Sequence, residues 1–440
     1  MPYVLAYSAS ALQMAESADA EALISPLAHA LLREEYGKVD AALPALIDAI
    51  KATGAAACWH KHSTFLSHLL GVYRIAALWR MPREVCLMAL AHSAYSNRCA
   101  ACQMSPGSRF LAEAHAAARS YVNLALFAPT PAGRAQVLAL VGAEVEAWTW
   151  LFCRVPRHEL VYTRLVEPLV YGFAGGAAPG AAPPAAGLGW RDAPPTYALP
   201  DGGRVTLADI RTGEVVHLDA YQVGTLLALS IADFAEQWHS WQDGLFETER
   251  DGGRMRYAGA AAHTLWPGDG RPGLWLHTLS HVGRLVHAAN DALAAAGDAR
   301  RVPVPPVFDG CTAVVSPAQQ AACRDAYWRA VTQLGAPERA DEARAALEAA
   351  VEACPFVPEP HALLAQLHLQ ASRWDEAAAC AAQAVRLLLQ WGTSFDKRLS
   401  WGAWVAWARV CADAARNRAW PAQHQPFAIL NLGLVPQPAA

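Results

Sequence analysis

The sequence predicts a mostly helical chain of at least two parts. Apolar residues recur at helical spacing through long stretches, prolines punctuate them at short joints, and two short words repeat at one offset near the C-terminal end. At 440 residues the chain is too long for one ordinary domain. Hydrophobic residues make up 54% and charged residues 17%, which excludes a disordered, charged chain. Basic residues number 35 against 39 acidic, for a net charge of -4, so the charge balance gives no reason to expect nucleic acid or an anionic membrane as partner.

The ten cysteines are scattered, and Cys86, Cys153 and Cys380 lie in apolar helical text. That pattern fits reduced core cysteines and not a disulfide framework. Cys99 and Cys102 form a lone CxxC with no second pair at zinc spacing. No apolar run reaches the roughly 18–20 residues of a membrane helix. Neither Lys nor Arg occurs before Arg33, while Glu16, Asp19 and Glu21 do. A secretory or transit leader is therefore disfavoured, and a cytoplasmic location is expected.

Within residues 1–50, Leu23, Leu27, Ala30 and Leu31 share one helix face, and Leu43, Ile47 and Ile50 share another. Ser25-Pro26 reads as a cap with a first-turn proline. Helices continue over 64–171, with Pro82, Pro106, Pro129 and Pro156 at the joints. Residues 172–200 are Gly, Ala and Pro without periodicity, a flexible insertion. Residues 204–218 read as a small hairpin around Thr212-Gly213. Asp219, with Gln222 three residues on, caps a helix running to about Gln242. Loop text over 243–275 precedes a helix at about 276–296. This gives a first domain over 1–300 containing the 172–218 insertion and hairpin, a Pro-rich connector over 301–317, and a helical domain over 318–440.

The chemistry is concentrated in residues 59–98. Ser63 or Thr64 can cap a helix running to about Trp79, and Pro82 opens the next, which runs to about Tyr95. The short joint at Arg80-Met81 forces the two helices antiparallel. His68 and His92 each lie about twelve residues from that joint, roughly 18 Å along either helix, so they come to one level. Their neighbours are apolar, so both can face inward as a metal half-site. The alternative is a pair of hydrogen-bonded core histidines. Asp233 stands on a stripe with Leu226, Ser230 and Gln237 at the edge of an apolar face, where a carboxylate needs a partner. His277 and His281 are one turn apart without the Glu of a metalloprotease signature, and read as surface or core histidines.

Two family resemblances follow from these residues. Asp341-Glu342-Ala343 recurs as Asp375-Glu376-Ala377 (375 − 341 = 34), and Ala350-Val351 as Ala384-Val385 (384 − 350 = 34). With Pro355 after the first unit, residues 338–390 resemble tetratricopeptide repeats. Two repeats are too few to stand alone, so they lean on helices at 318–334 and 395–418. The resemblance implies a protein or peptide partner; Trp401, Trp404 and Trp407, three apart along one helix, read instead as core. The order His68, His92, distant Asp233 resembles the HD-domain superfamily over roughly 55–290. That resemblance implies an all-α bundle holding divalent metal (Fe, Mn, Zn or Co) and hydrolysis of a small phosphorylated molecule. The family's His-Asp pair is His92-Ser93 here, so the resemblance implies a single ion on His68, His92 and Asp233, with His60 or His62 as further candidate ligands. Lys61, Arg74 and Arg98 are candidates to steady an anion. Two functions stand: a metal-dependent phosphohydrolase, and a catalytically inactive scaffold that binds partners through its repeats.

Overall fold

Helix boundaries follow the capping chemistry of the sequence. The computed structural model describes residues 20, 23–57, 59–60, 63–95, 126–157, 160, 197–237, 248–250, 253–255, 275–304, 307, 315, 317–334, 337–397 and 399–420. Helix α1 (Pro26–Leu32) opens behind Ser25, whose hydroxyl accepts from the Ala28 N–H at 3.2 Å. A single turn, α2 (Tyr36–Val39), leads into α3 (Leu43–Ala52), where Leu43, Leu46, Ile47 and Ile50 are buried. The ladder β1 (Trp59–His60) with β2 (Ser63–Thr64) precedes α4 (Phe65–Leu78) and α5 (Arg83–Ala91). Then come α6 (Pro131–Val141), α7 (Ala143–Arg154), β3 (Val205–Ala208), β4 (Val215–Leu218) and α8 (Ala220–Gln237). The ladder β5 (Thr248–Arg250) with β6 (Gly253–Met255) and α9 (Trp275–Ala295) follow. The last helices are α10 (Pro317–Gln333), α11 (Ala340–Ala353), α12 (Pro358–Gln370), α13 (Trp374–Trp391) and α14 (Trp401–Arg416). The protein is mostly helical, and the strands among the described residues form two-stranded antiparallel ladders. None of the described helices is long and apolar enough to cross a membrane.

The joint between α4 and α5 is set by its residues. Trp79 caps α4, Arg80 takes a left-handed φ of 57°, and the Met81 N–H reaches back to Ala76 O at 3.1 Å. This left-handed cap reverses the chain within two residues, and Pro82 then prevents α4 from continuing. The second helix is shorter than its sequence suggests. It ends at Ala91, with His92 as the C-cap, and residues 92–95 form a turn.

The hairpin pairs Val205 with Leu218 and Leu207 with Val216, and all four are buried while the alternate positions face outward. Its end is a reciprocal cap. The Asp219 carboxylate accepts from the Gln222 N–H at 2.8 Å, and the Gln222 side chain accepts from the Asp219 N–H at 3.0 Å. Helix α8 begins there and is buried on nearly every side. On one side Gly224 admits α9. A Cβ at Gly224 would stand 2.9 Å from both Ala289 Cβ and Val302 Cγ2. Gly224→Ala is therefore expected to cost about 1–3 kcal/mol by overpacking, measured by chemical denaturation. The opposite side of α8 carries Asp233, nine residues on and about 180° around the helix from Gly224.

The chain divides into two compact units. One comprises residues 36–238 and 246–308; the other comprises 1–35, 239–245 and 309–440. Helix α1 thus groups with the C-terminal helices, although the sequence reading counted it in the first domain. In the second unit α10 packs on α11, α12 on α13, and α13 on α14. Helices α11 and α13 begin 34 residues apart (374 − 340 = 34). The matching positions Ala343 and Ala377, and Ala350 and Ala384, are all fully buried. Trp401 and Trp404 are buried as well. Their indole N–H groups donate to Leu388 O at 2.8 Å and Asp396 O at 2.9 Å, so this part of the tryptophan stripe is core. Cys86 and Cys153 are buried free thiols and Cys380 is partly buried. His281 is buried against the Tyr197 hydroxyl, 2.6 Å from its Nδ1. Pro106, the Cys99/Cys102 pair, the insertion before residue 197 and the side chain of His277 lie outside the described residues.

Candidate metal centre

Three elements of the first unit bring their polar side chains to one point. His68 stands on the second turn of α4, a helix fixed at its start by Thr64, whose hydroxyl accepts from the Ser67 N–H at 3.2 Å. His92 caps α5, and Asp233 projects from α8. One ligand atom from each of the three lies within 4.8 Å of the others, and all three residues are buried. His68 Nε2 is 3.3 Å from His92 Nε2 and 3.3 Å from Asp233 Oδ1, and His92 Nε2 is 3.6 Å from the same oxygen.

The remaining polar atoms of these side chains are engaged away from that point. His92 Nδ1 donates to Ala89 O at 2.7 Å, which leaves its Nε2 as the lone pair when the ring is neutral. His68 Nδ1 donates to Glu236 Oε2 at 2.5 Å. Asp233 Oδ2 accepts from Arg157 Nη1 at 2.7 Å, and the Arg157 guanidinium lies 4.0 Å from the centre of the Phe152 ring. Two imidazole nitrogens and one carboxylate oxygen therefore converge on one another.

The separations suit an ion. Ligands on a tetrahedral ion with bonds of about 2.0–2.1 Å stand about 3.3–3.4 Å apart. The three edges here, 3.3, 3.3 and 3.6 Å, have that size and exceed the roughly 2.9 Å of an ordinary N–H···O bond. Two histidines and one carboxylate make a donor set suited to Fe, Mn, Co or Zn.

The electrostatics also favour a cation. Burial works against charge on His68, but Glu236 and Asp233 outweigh it and raise its pKa to about 9. At His92, burial dominates over Asp233, and with His68 and Arg157 it lowers the pKa to about 4. Burial alone would raise the Asp233 pKa; His92, Arg157 and His68 hold it well below the usual carboxylate range. The site thus keeps one positive charge at His68 between two carboxylates.

The turn that carries His92 is anchored from several sides. Cys153 Sγ donates to His92 O at 3.1 Å, and Arg211 of the hairpin loop donates to Tyr95 O at 2.8 Å. The Tyr95 hydroxyl donates to Glu146 at 2.8 Å, and Glu146 is itself clasped by Arg134.

Residues 49–157 match the family model DUF6817, a domain of unknown function. The match covers both histidines, Phe152 and Arg157, and ends before Asp233. No curated protein and no solved structure matches the chain.

Of the residues singled out from the sequence, His68, His92 and Asp233 are brought together. Arg74 lies six residues beyond His68 on α4, about 240° around the helix and off its face. Lys61, His62, Arg98 and the side chain of His60 lie outside the described residues. Sequence reasoning missed Glu236 and Arg157. Glu236 had a visible signal, one helical turn beyond Asp233 on the same side of α8. Arg157, which lies just past the C-terminal end of α7, had none.

Proposed function

We propose that the unit of residues 36–238 and 246–308 is an HD-type domain that holds one divalent metal ion on His68, His92 and Asp233 and hydrolyses a small phosphorylated molecule. The convergence of two histidine nitrogens and one carboxylate oxygen at 3.3–3.6 Å carries the reading. Hydrolysis rests on the resemblance in residue order, and the small substrate on the family it points to. An ion bound there supplies Lewis acidity and lowers the pKa of a bound water. Arg157 orients Asp233 by holding Oδ2, which leaves Oδ1 toward the two imidazole nitrogens, where it would serve as a ligand. Ser93 in place of the family's aspartate limits the site to one ion, because a neutral hydroxyl is a poor ligand for a hard cation.

Elemental analysis of the purified full chain is expected to show near-stoichiometric Fe, Mn, Zn or Co that disappears in His92→Ala. The metal-loaded protein is then expected to release phosphate from members of a small phosphomonoester panel. Absence of bound metal after reconstitution with each ion overturns the proposal.

A second reading is supported by Ser93 and by the C-terminal unit. Small buried residues recur there at a 34-residue period, as in tetratricopeptide repeats, which bind protein or peptide partners. On that reading the first unit is an inactive scaffold. A metal-free wild-type chain that still captures a specific partner through residues 309–440 would favour it.

A further inference from the structure

We propose that Gly71 and Glu236 form a lock that positions His68 as a ligand, so that Glu236 is a positioning residue for the metal centre. The inference rests on the metal-binding reading above.

Glu236 is buried, with 4% exposure, and reaches from α8 to His68 Nδ1. Gly71 lies one turn beyond His68 on α4, where the side chain of Glu236 crosses. A Cβ at Gly71 would fall 2.4 Å from Glu236 Cγ, 2.7 Å from Oε1 and 2.8 Å from Cδ. Such separations are impossible, so any residue but glycine would displace the carboxylate. Gly71 sits in mid-helix, where glycine costs roughly 0.5–1 kcal/mol relative to alanine. The close approach of Glu236 is the observation that accounts for it.

The consequence is for the other ring nitrogen. A carboxylate on Nδ1–H keeps that proton in place, so it is Nε2 that gives up its proton and presents the lone pair when the ring binds an ion, and it fixes the ring's rotation. Through the hydrogen bond it also makes Nε2 more basic. His92 obtains the same tautomer from Ala89 O, a neutral acceptor, whereas His68 obtains it from an anion. The two histidines are therefore unequal, and His68 is the stronger donor of the pair.

The test is titration of the metal-stripped full chain with Co(II) by calorimetry, with visible spectra of the loaded forms. Glu236→Gln keeps the volume and removes the charge. Gly71→Ala keeps Glu236 and pushes it away. Each is expected to weaken Co(II) binding by about 10–100-fold and to alter the Co(II) ligand-field bands. The double variant is expected to be no weaker than the worse single one, because both act through one contact. Glu236→Gln guards the test against a Gly71→Ala chain that fails to fold. If wild type binds Co(II) and Glu236→Gln binds it equally, or if the two losses multiply, the lock is overturned while the centre stands. If wild type binds none of Fe, Mn, Co or Zn, the centre itself falls and the lock with it.

Discussion

Asp233→Ala is expected to destabilise the metal-free protein by about 3–5 kcal/mol and to abolish ion binding. The reason is what the carboxylate leaves behind. Arg157 donates to Asp233 Oδ2 with only 15% of its side chain exposed, and His68 beside it holds a proton to about pH 9. Removing Asp233 leaves the guanidinium without this partner and takes from His68 one of the two carboxylates beside it. Breaking a buried pair costs far more than the pair contributes, because the surviving charge keeps its desolvation penalty. Asp40 supplies the control in the same unit. Its partner Arg83 has a side chain 61% exposed, so water replaces that contact, and with the loss of the bond from the Ala42 N–H to Asp40 Oδ1 at 2.9 Å, Asp40→Ala is expected to cost about 1–2 kcal/mol. Urea denaturation of the two variants side by side measures the contrast. Equal losses would show that Asp233 does not neutralise a buried cation pair. Asp233→Asn, which keeps the volume, separates loss of charge from loss of packing.

The part of this site legible in the sequence is the part fixed by local geometry. Two histidines equidistant from a two-residue joint must come level if the helices are antiparallel, and Arg80, Met81 and Pro82 leave no other course. Asp233 was legible because a carboxylate on an apolar stripe requires a partner. Arg157 was not legible. It lies 76 residues from Asp233, and nothing local distinguishes it from a surface arginine. Gly71 is similar: a glycine in a helix signals a close approach, but the approaching group belongs to a helix more than 160 residues away. Glu236 was overlooked although visible, because a Glu near a helix end is ordinarily solvated.

The fold shows the same division. Caps at Ser25, Thr64 and Asp219 and the hairpin of 205–218 follow from short-range chemistry, and the structure places them where the sequence does. The second helix of the histidine hairpin does not follow. Apolar text continues through Tyr95, yet the helix stops at Ala91: the Ala94 N–H turns to Ala91 O, three residues back, at 2.8 Å, and the carbonyls of His92, Ala94 and Tyr95 accept from other segments, from Cys153 at His92, the Phe127 N–H at Ala94 and Arg211 at Tyr95. The grouping of α1 with the C-terminal helices was equally hidden, since an amphipathic helix records that it is covered and not by what.

Glu359→Gln is expected to remove a pH dependence of stability in the C-terminal unit. Glu359 is fully buried at the start of α12. Its Oε1 accepts from the Phe395 and Asp396 N–H groups at 2.5 and 3.0 Å, and its Oε2 has no hydrogen-bond partner among the described residues. Burial, with Asp396 adding to it, raises the pKa from 4.5 to about 7, and the backbone donors only partly offset this. A carboxyl whose folded pKa is raised binds more protons when native than when unfolded between those two values. Its contribution is therefore most favourable below about pH 4.5, declines as pH rises, and levels off above about pH 7. The shift of 7 − 4.5 = 2.5 corresponds to ~3 kcal/mol at ~1.4 kcal/mol per pKa unit. A Gln carbonyl keeps the two backbone bonds and never ionises. The stability difference between Glu359→Gln and wild type is expected to be ~2–3 kcal/mol more favourable to the variant at pH 8 than at pH 5. The double difference isolates this group from His361 on the same helix, whose pKa burial lowers to about 4 and which changes stability in the opposite direction in both proteins alike. Guanidinium denaturation of both proteins at the two pH values is the measurement, and parallel curves would show that Glu359 stays ionised in the native chain.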